Sequence, residues 1–449
     1  MTSDRRLRSK ITQSIGDISK SIQNFGAYSL CNFINFQDEG IPFLMTKNVR
    51  ENYIDWNIEK FVDQKSHEIL WKSHCHRGQV LVTMAGEYLG RVAVYNSDSE
   101  ASSNQAIAKI SLKKGESPYT VATFLTSKFG QHQIQRFKTI TGQPNINMSL
   151  IESLRVPKFS EQISEAIEAL MCRVDDLKGA AFNTYTQAET LLLATLGMSG
   201  FSPETETVNI KSFKDSFAST GRLDAEYYQP KYEQQERVFS SFQQTTLADL
   251  VNAPISSGMT PKAGGDDYTD ATEGVPFIRA VDISNGEVKT DNFIYIKREI
   301  HGGALRRTQL KKNDVLFSIA GTVGRCGLFL HDFDANINQA VSILRFNENT
   351  VLRLYLIAFF NSKIGKVWVS KFSRQGLQTN LNLEEVGALR IPIIDLPTQQ
   401  KIAVLVQQSF TLKAQSKRLL EAAKRAVEIA IEQDEAAGMA YLAREAGLP

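Results

Sequence analysis

Two hydrophobic periods alternate along this chain of 449 residues. "GQVLVTMAG" from Gly78 and "NDVLFSIAG" from Asn313 are short apolar runs that stop at glycine, and "AIAKISL" and "AVSILRF" alternate as half-buried strands do. "SPYTVATFLTSKFG" and "VLRLYLIAFFNSKIG" carry apolar residues at helical spacing and end at Gly130 and Gly365, which predicts two helices closed by left-handed glycine caps. The Asn285-Gly286 pair within "ISNGEVKTDNFIYI" predicts a hairpin turn. After Pro157 and Pro397 the period changes. Ile163, Ile167, Leu170, Val174, Leu177, Ala181, Thr184, Ala188 and Leu191 follow the four-three spacing of a coiled-coil seam. Leu405, Leu412, Leu419 and Ala426 recur every seven residues, with Ile402, Ser409, Ser416, Ala423 and Ala430 on the adjoining seam position. Two helices of about 35 residues, each on the order of 50 Å long, are expected to pack along their length. Alanines on both seams allow a close approach. The alternative is that each helix packs only on its own domain.

The same elements come twice. Ile41-Pro42-Phe43 matches Val275-Pro276-Phe277, Gly90-Arg91 matches Gly324-Arg325, and Asn104-Gln105-Ala106 matches Asn338-Gln339-Ala340, each pair 234 apart. Ser127-Lys128-Phe129-Gly130 matches Ser362-Lys363-Ile364-Gly365, Asn145 and Asn147 match Asn380 and Asn382, and Pro157 matches Pro392, all 235 apart. One gap in so long a match makes the chain two copies of one unit, each a mixed α and β part followed by a helix. The expected divisions are a first globular domain over 1–158, a helix over 159–198, a second domain with its N-terminal linker over 199–396, and a second helix over 397–449. Met1 to Ser29 aligns poorly with Ser240 to Met259, the region that should correspond to it.

Composition narrows the function. With 42% hydrophobic and 22% charged residues the chain is too apolar for disorder. Without an apolar leader or an apolar run long enough to span a bilayer, a cytoplasmic protein is expected. Cys31, Cys75, Cys172 and Cys326 are scattered and form no metal or disulfide pattern. A net charge of +2 argues against a polyanion-binding surface over the whole molecule and leaves room for a local basic face.

Two equivalent heads on helical struts suit a target with two spaced features, and duplex DNA is the commonest such target. Lys297, Arg298, Arg306, Arg307, Lys311 and Lys312 cluster in the second unit, as do Lys363, Lys366, Lys371 and Arg374 before the repeated Asn-x-Asn passage. Lys128, Arg136 and Lys138 hold the matching place in the first. These are candidates for phosphate contacts. Gln143, Asn145, Gln375, Gln378 and Asn380 are candidate base readers, because a carboxamide both donates to and accepts from adenine. Against this, Asn and Gln beside glycine more often stabilise turns.

The doubled unit, "SKFG" and "SKIG", "NINMSLIESLRVP" and "NLNLEEVGALRIP", and the helix starts "VPKFSEQI" and "LPTQQKIAVL" together resemble the specificity subunit of type I restriction–modification systems. The resemblance covers nearly the whole chain. It implies tandem α/β (α+β) target-recognition domains, each reading one half of a split asymmetric DNA site, with a pseudo-twofold internal repeat. Two long antiparallel coiled-coil helices would separate the domains and act as a ruler. The implied partners are double-stranded DNA, two DNA-adenine methyltransferase subunits and motor-nuclease restriction subunits. No cofactor and no metal are implied. Recognition domains vary within such a family, so no base contact carries over residue by residue.

Enzymatic readings fare poorly. Neither an Asn-Pro-Pro-aromatic motif nor a P-loop occurs, so methylation and ATP-driven cleavage are expected in partners. "MAGEYLGR" and "IAGTVGR" lack dinucleotide-loop spacing and read as turns between strands. Asp282, Glu287 and Lys289 straddle the hairpin signal, have no counterpart in the first unit, and read as solvated hairpin residues. In "HCH", His74 to His76, only the two histidines could share a strand face, which favours a structural role. The competing function is a coiled-coil assembly protein whose heads bind protein.

Overall fold

A computed structural model describes residues 10–25, 34–56, 58–139, 144–203, 208–262, 265–284, 286–290, 293–347, 349–374 and 379–446. The chain forms two compact units, Met1–Gly179 with Leu412–Pro449, and Ala180–Thr411.

In the first unit the strands Ser19–Gln23, Ile107–Leu112, Val80–Thr83 and Val92–Val94 lie side by side in that order, all antiparallel. One face of this sheet buries Val80, Val82, Ala108 and Ile110 beneath helix Pro118–Thr126 and the residues Ile163 and Ile167. The other face buries Leu81, Ala93 and Ile107 against Leu44, Val49 and Tyr95. Both faces are therefore covered, so the half-buried alternation expected for 106–112 does not hold, and Lys109 is buried with its neighbours. A smaller sheet orders Phe36–Gln37, Phe61–Val62, Ile41–Leu44 and Ser102–Ser103, the last pair parallel.

The second unit builds the same frame. Its main sheet runs Ser256–Ser257, Val341–Leu344, Val315–Ser318, Cys326–Leu328, Gly286–Val288 and Ile283–Ser284. Its small sheet runs Tyr268–Thr269, Ile294–Ile296, Val275–Ile278 and Asn336–Ile337. Registers repeat as well as elements: Phe43 faces Ser102 and Leu44 faces Ser103 in the first, Phe277 faces Asn336 and Ile278 faces Ile337 in the second, all 234 apart. The offset is interrupted more than once, correcting the single gap. Thr83 faces Ile107 as Ser318 faces Val341, which puts the central strand 235 apart while its partner stays at 234. The change is reversed in the following glycine turn, one residue longer in the first unit.

The expected glycine caps are not formed. The first helix of each pair ends at Thr126 and Asn361, and Gly130 and Gly365 lie in the first turns of the next helices, Lys128–Phe137 and Lys363–Phe372. Ser127 and Ser362 are the N-caps, their buried hydroxyls accepting from the N–H groups of Gly130 and Gly365. Glycine is required for space: a Cβ at Gly130 would come 2.4 Å from Leu125 Cα, and one at Gly365 would come 2.0 Å from the Phe359 carbonyl oxygen.

Asn147 and Asn382 also cap, accepting from Leu150 and Glu385 at the starts of Met148–Glu152 and Leu383–Gly387. The prolines that follow sit in two-stranded ribbons, where Thr12–Ser14 pairs Arg155–Pro157 and Gln243–Thr246 pairs Arg390–Ile393. Here the missing N-terminal correspondence is found. Ser14 with Asp17 and Thr246 with Asp249 form capping boxes directly after the first strand of each ribbon.

Two long helices, Glu161–Thr195 and Leu396–Glu432, carry the seams. In the first unit Ile163, Ile167, Leu170 and Val174 share a core with Leu419, Ala423, Ala426 and Ala430, Leu177 packs half-buried against it, and the Ser416 hydroxyl donates to the Val174 carbonyl at 3.3 Å. In the second unit Ala188 and Leu192 share a core with Ile402, Val406 and Phe410, Leu405 packs half-buried against it, and the Ser409 hydroxyl donates to the Ala181 carbonyl at 2.7 Å. Leu412 is half-buried. Within each unit, then, a buried serine of the second helix is bonded to the backbone of the first. Each helix thus packs on the other as well as on a sheet. The second stops at Glu432, and Asp434 caps a separate helix, Glu435–Ala446. That helix folds back so closely that a Cβ on Gly438 would meet the Ala426 carbonyl oxygen at 2.9 Å. Among the described residues no helix is long and apolar enough to cross a membrane.

Candidate nucleic-acid interface

At one end of each main sheet three repeated segments converge. In the first unit Met84 N–H donates to Ala106 at 2.7 Å, Ile146 N–H to Met84 at 2.9 Å, and Gly86 N–H to Pro144 at 3.0 Å. In the second, Ile319 N–H donates to Ala340 at 2.8 Å, Leu381 N–H to Ile319 at 2.8 Å, and Gly321 N–H to Thr379 at 3.1 Å. The glycine-rich passages are turns between strands, with Gly86, Gly90, Gly321 and Gly324 all at positive φ. Their tips differ: Glu87-Tyr88-Leu89 in the first unit stands where the second has Thr322-Val323. In the first unit the convergence leaves an open groove of about 450 Å³ bordered by Gly86, Glu87, Tyr88, Asn104, Gln105 and Asn145.

Two arginines flank Tyr88, which borders this groove. The Arg91 guanidinium lies 4.4 Å and that of Arg50 6.0 Å from the centre of the Tyr88 ring. Burial, and then the charge of Arg50, push the Arg91 guanidinium below its ordinary range. Arg325 occupies the place of Arg91 in the second unit and donates to the Ile283 carbonyl at 3.4 Å.

The sequence candidates separate into groups. Asn145 and Asn380 are exposed and bridge to the glycine turns at Ala85 and Ala320. Arg374 is beside Asn380, whose carbonyl accepts its N–H at 2.9 Å, and its side chain meets Glu385 at 2.9 Å. Arg136 and Lys138 are exposed at the end of helix Lys128–Phe137. Gln143, Gln375 and Gln378 lie outside the described residues.

Other candidates have structural partners. The Lys128 ammonium pairs with Glu432, and its N–H donates to Glu428 at 3.0 Å. Lys363 answers it in the second unit, its N–H donating to Glu189 at 2.8 Å and its ammonium to the Phe201 carbonyl at 2.8 Å. Each is a helix N-terminus held by a carboxylate from a long helix.

Lys371 is a correction to the phosphate set. It is 4% exposed, pairs with Glu236, and lies 4.5 Å from the centre of the Tyr227 ring. Burial pushes its pKa down and Glu236 opposes the shift, so this cation fastens helix Pro230–Phe239 and has no surface to offer a phosphate. Arg306 and Arg307 are exposed but on a different element, a short turn fixed by hydrogen bonds of Asn336 to Thr308 and to the Leu305 carbonyl. The remaining motifs are structural. His74 stacks on His67 with ring centres 3.7 Å apart and meets the His67 carbonyl at 2.7 Å. Asp282 is buried and paired with Arg279 at 3.1 Å, which corrects its reading as a solvated residue.

Sequence reasoning missed the groove. Its signal was the Asn-Gln-Ala repeat, which served as a landmark for alignment while its exposed member, Gln105 or Gln339, went unconsidered.

Residues 240–422 match the family model for the type I restriction modification DNA specificity domain. The chain is 24% identical over 410 residues to the type I restriction enzyme EcoBI specificity subunit of Escherichia coli, covering 88% of this chain and 78% of that protein. Among solved structures, the S subunit of a type I restriction-modification system from M. genitalium is 13% identical, with 94% and 95% of the two chains covered and a TM-score of 0.40. The HsdS subunit from Thermoanaerobacter tengcongensis is 13% identical, with 94% and 96% covered and a TM-score of 0.30. Residues 240–422 thus carry the type I restriction modification DNA specificity domain, and over most of its length the chain is similar to a type I specificity subunit.

Proposed function

We propose that this subunit reads a bipartite, asymmetric DNA site, one half by each recognition domain, and scaffolds the subunits that modify and cut DNA. The domains are 1–158 and 199–396, and the segments 159–198 and 397–449 are the spacers. The observation that carries this reading is the doubled frame: matching registers support two readers of one kind, and different turn tips support two different half-sequences. Arg136, Lys138, Arg306, Arg307 and Arg374 are the cations assigned to DNA phosphates. Methylation and cleavage belong to the partners, two DNA-adenine methyltransferase subunits and the motor-nuclease subunits, in the cytoplasm. The spacers set the length of unread sequence between half-sites. Mapping methylated bases in the source genome with and without this gene tests the reading. Loss of one split motif on deletion is expected, and an unchanged methylation map refutes it. A scaffold with protein-binding heads predicts DNA binding that is blind to sequence even with the methyltransferase present.

A further inference from the structure

Four consecutive residues of the first unit reach different elements. Val49 bridges Ile54, and Arg50 N–H donates to the Tyr53 carbonyl at 2.9 Å, which makes 50–53 the loop of a tight hairpin. The Arg50 guanidinium stands 6.0 Å from the centre of the Tyr88 ring at the groove rim. The Glu51 carboxylate accepts from the Lys424 ammonium of the second long helix at 3.1 Å. Asn52 is buried at φ 59°, its N–H donating to the Val92 carbonyl and its side chain to the Thr126 hydroxyl, both at 2.7 Å. The Lys178 ammonium of the first long helix lies 3.3 Å from the centre of the Tyr53 ring. Val92 begins the strand that leaves the glycine turn carrying Tyr88. One loop thus touches both long helices and the rim of the groove. The second unit has the same hairpin 234 residues on: Ile283 pairs Val288 as Val49 pairs Ile54, and Gly286 at φ 83° takes the place of Asn52. Its contact with the second long helix is one of packing, since a Cβ on Gly286 would come 3.1 Å from Phe410 Cζ.

A spacer measures a gap only if the surface that meets DNA is held to it. Resting on the proposed function, we infer that hairpin 49–54 is a positioning joint that fixes the rim of the first recognition domain to the spacer helices, so that the gap between half-sites is enforced and not merely spanned. Glu51 and Tyr53 are its grip on the helices, Asn52 its anchor in the domain, and Arg50 its contact with the rim. A duplex whose gap is wrong by one base pair fits once the joint opens and the rim swings. The penalty for a wrong gap therefore cannot exceed the free energy needed to open the joint. Weakening the joint relaxes the gap and leaves the bases that are read unchanged.

The test uses the full chain assembled with its methyltransferase partner. Affinity is measured for the duplex carrying the mapped motif, for duplexes with the gap one base pair longer or shorter, and for duplexes changed at one base in either half. Glu51→Lys, which sets an ammonium against Lys424, is expected to shrink the penalty for a wrong gap by about fivefold, the worth of one partly exposed ion pair. Affinity for the native gap should stay within about twofold of the parent, since the joint is closed in that complex. Tyr53→Leu, which takes the ring from Lys178, should act in the same direction. Glu51→Lys combined with Lys424→Glu restores an ion pair and should restore the penalty. If the melting temperature falls while the gap penalty of either single variant stays at the parent value, if the exchange fails to restore it, or if the bases read change, the joint is overturned. Failure of the parent complex to prefer any duplex sinks the proposed function itself.

Discussion

Lys109 offers a quantitative check on the fold of the first unit. It is 1% exposed, and its ammonium donates to the Ser103 hydroxyl at 3.0 Å. The aligned registers put Ile343 and Ile337 in the places of Lys109 and Ser103 in the second unit, where both are core residues. Burial lowers the Lys109 pKa from 10.5 to about 8, and the Cys75 thiol beside it is pushed up to about 11. Because the folded pKa lies below the unfolded one, the unfolded chain binds more protons between about 8 and 10.5. Stability should therefore rise with pH across that window, and the penalty should be present in full below it. The shift corresponds to about 3 kcal/mol at pH 7. Lys109→Met removes the charge at similar length, and Ser103 keeps a partner because its hydroxyl donates to the Ser73 carbonyl at 3.2 Å. Urea unfolding followed through Trp56 and Trp71, both in this unit, should show the variant more stable by about 2–3 kcal/mol at pH 7. The gain should shrink toward zero by about pH 10.5. A variant less stable than the parent at pH 7, or a difference constant with pH, would refute the reasoning.

Gly365→Ala drives a methyl into the Phe359 carbonyl and should cost about 2–3 kcal/mol, read as a lower urea midpoint for the second unit. Asn382→Ala removes an N-cap with its capping box and should cost about 1 kcal/mol by the same measurement. Lys371→Met should leave DNA affinity and its salt dependence unchanged, since the cation is buried against Glu236, whereas a phosphate contact would lower the salt slope by about one. Inserting one helical turn into both spacers should lengthen the unread gap by about 5.4 Å, or one to two base pairs, and a methylation map with an unchanged gap would rule the spacers out as the ruler.

The sequence announced what depends on local pattern. Strands at 80–83 and 315–318, glycine turns after them, and seams such as Ile163 to Val174 follow from spacing and residue type, because one backbone period puts each set on one face. The doubling was equally plain, since it is a comparison of the chain with itself. It failed at the N-terminus, where only Ser14-x-x-Asp17 and Thr246-x-x-Asp249 survive of the match and the offset has changed. A capping box is short, and its chemistry persists when its letters do not.

Packing decided the rest. Whether a strand has one buried face or two depends on what covers it, so "AIAKISL" gave no sign that Lys109 would lose its solvent. Gly130 and Gly365 resembled helix ends because glycine is common there; the cause of their presence is a neighbouring helix turn some 2 Å from where a side chain would be. Of the basic residues near the repeated passage, Lys371 went inward to Glu236 while Arg374 stayed at the rim, though three residues separate them. The sequence determined that there are two units, their elements and the helices that follow them, because those are properties of periodicity and self-likeness. Only tertiary structure determined which cations remain exposed and which carboxamides border a common groove. Exposure and convergence depend on distances between residues far apart in the chain, and local pattern does not encode those distances.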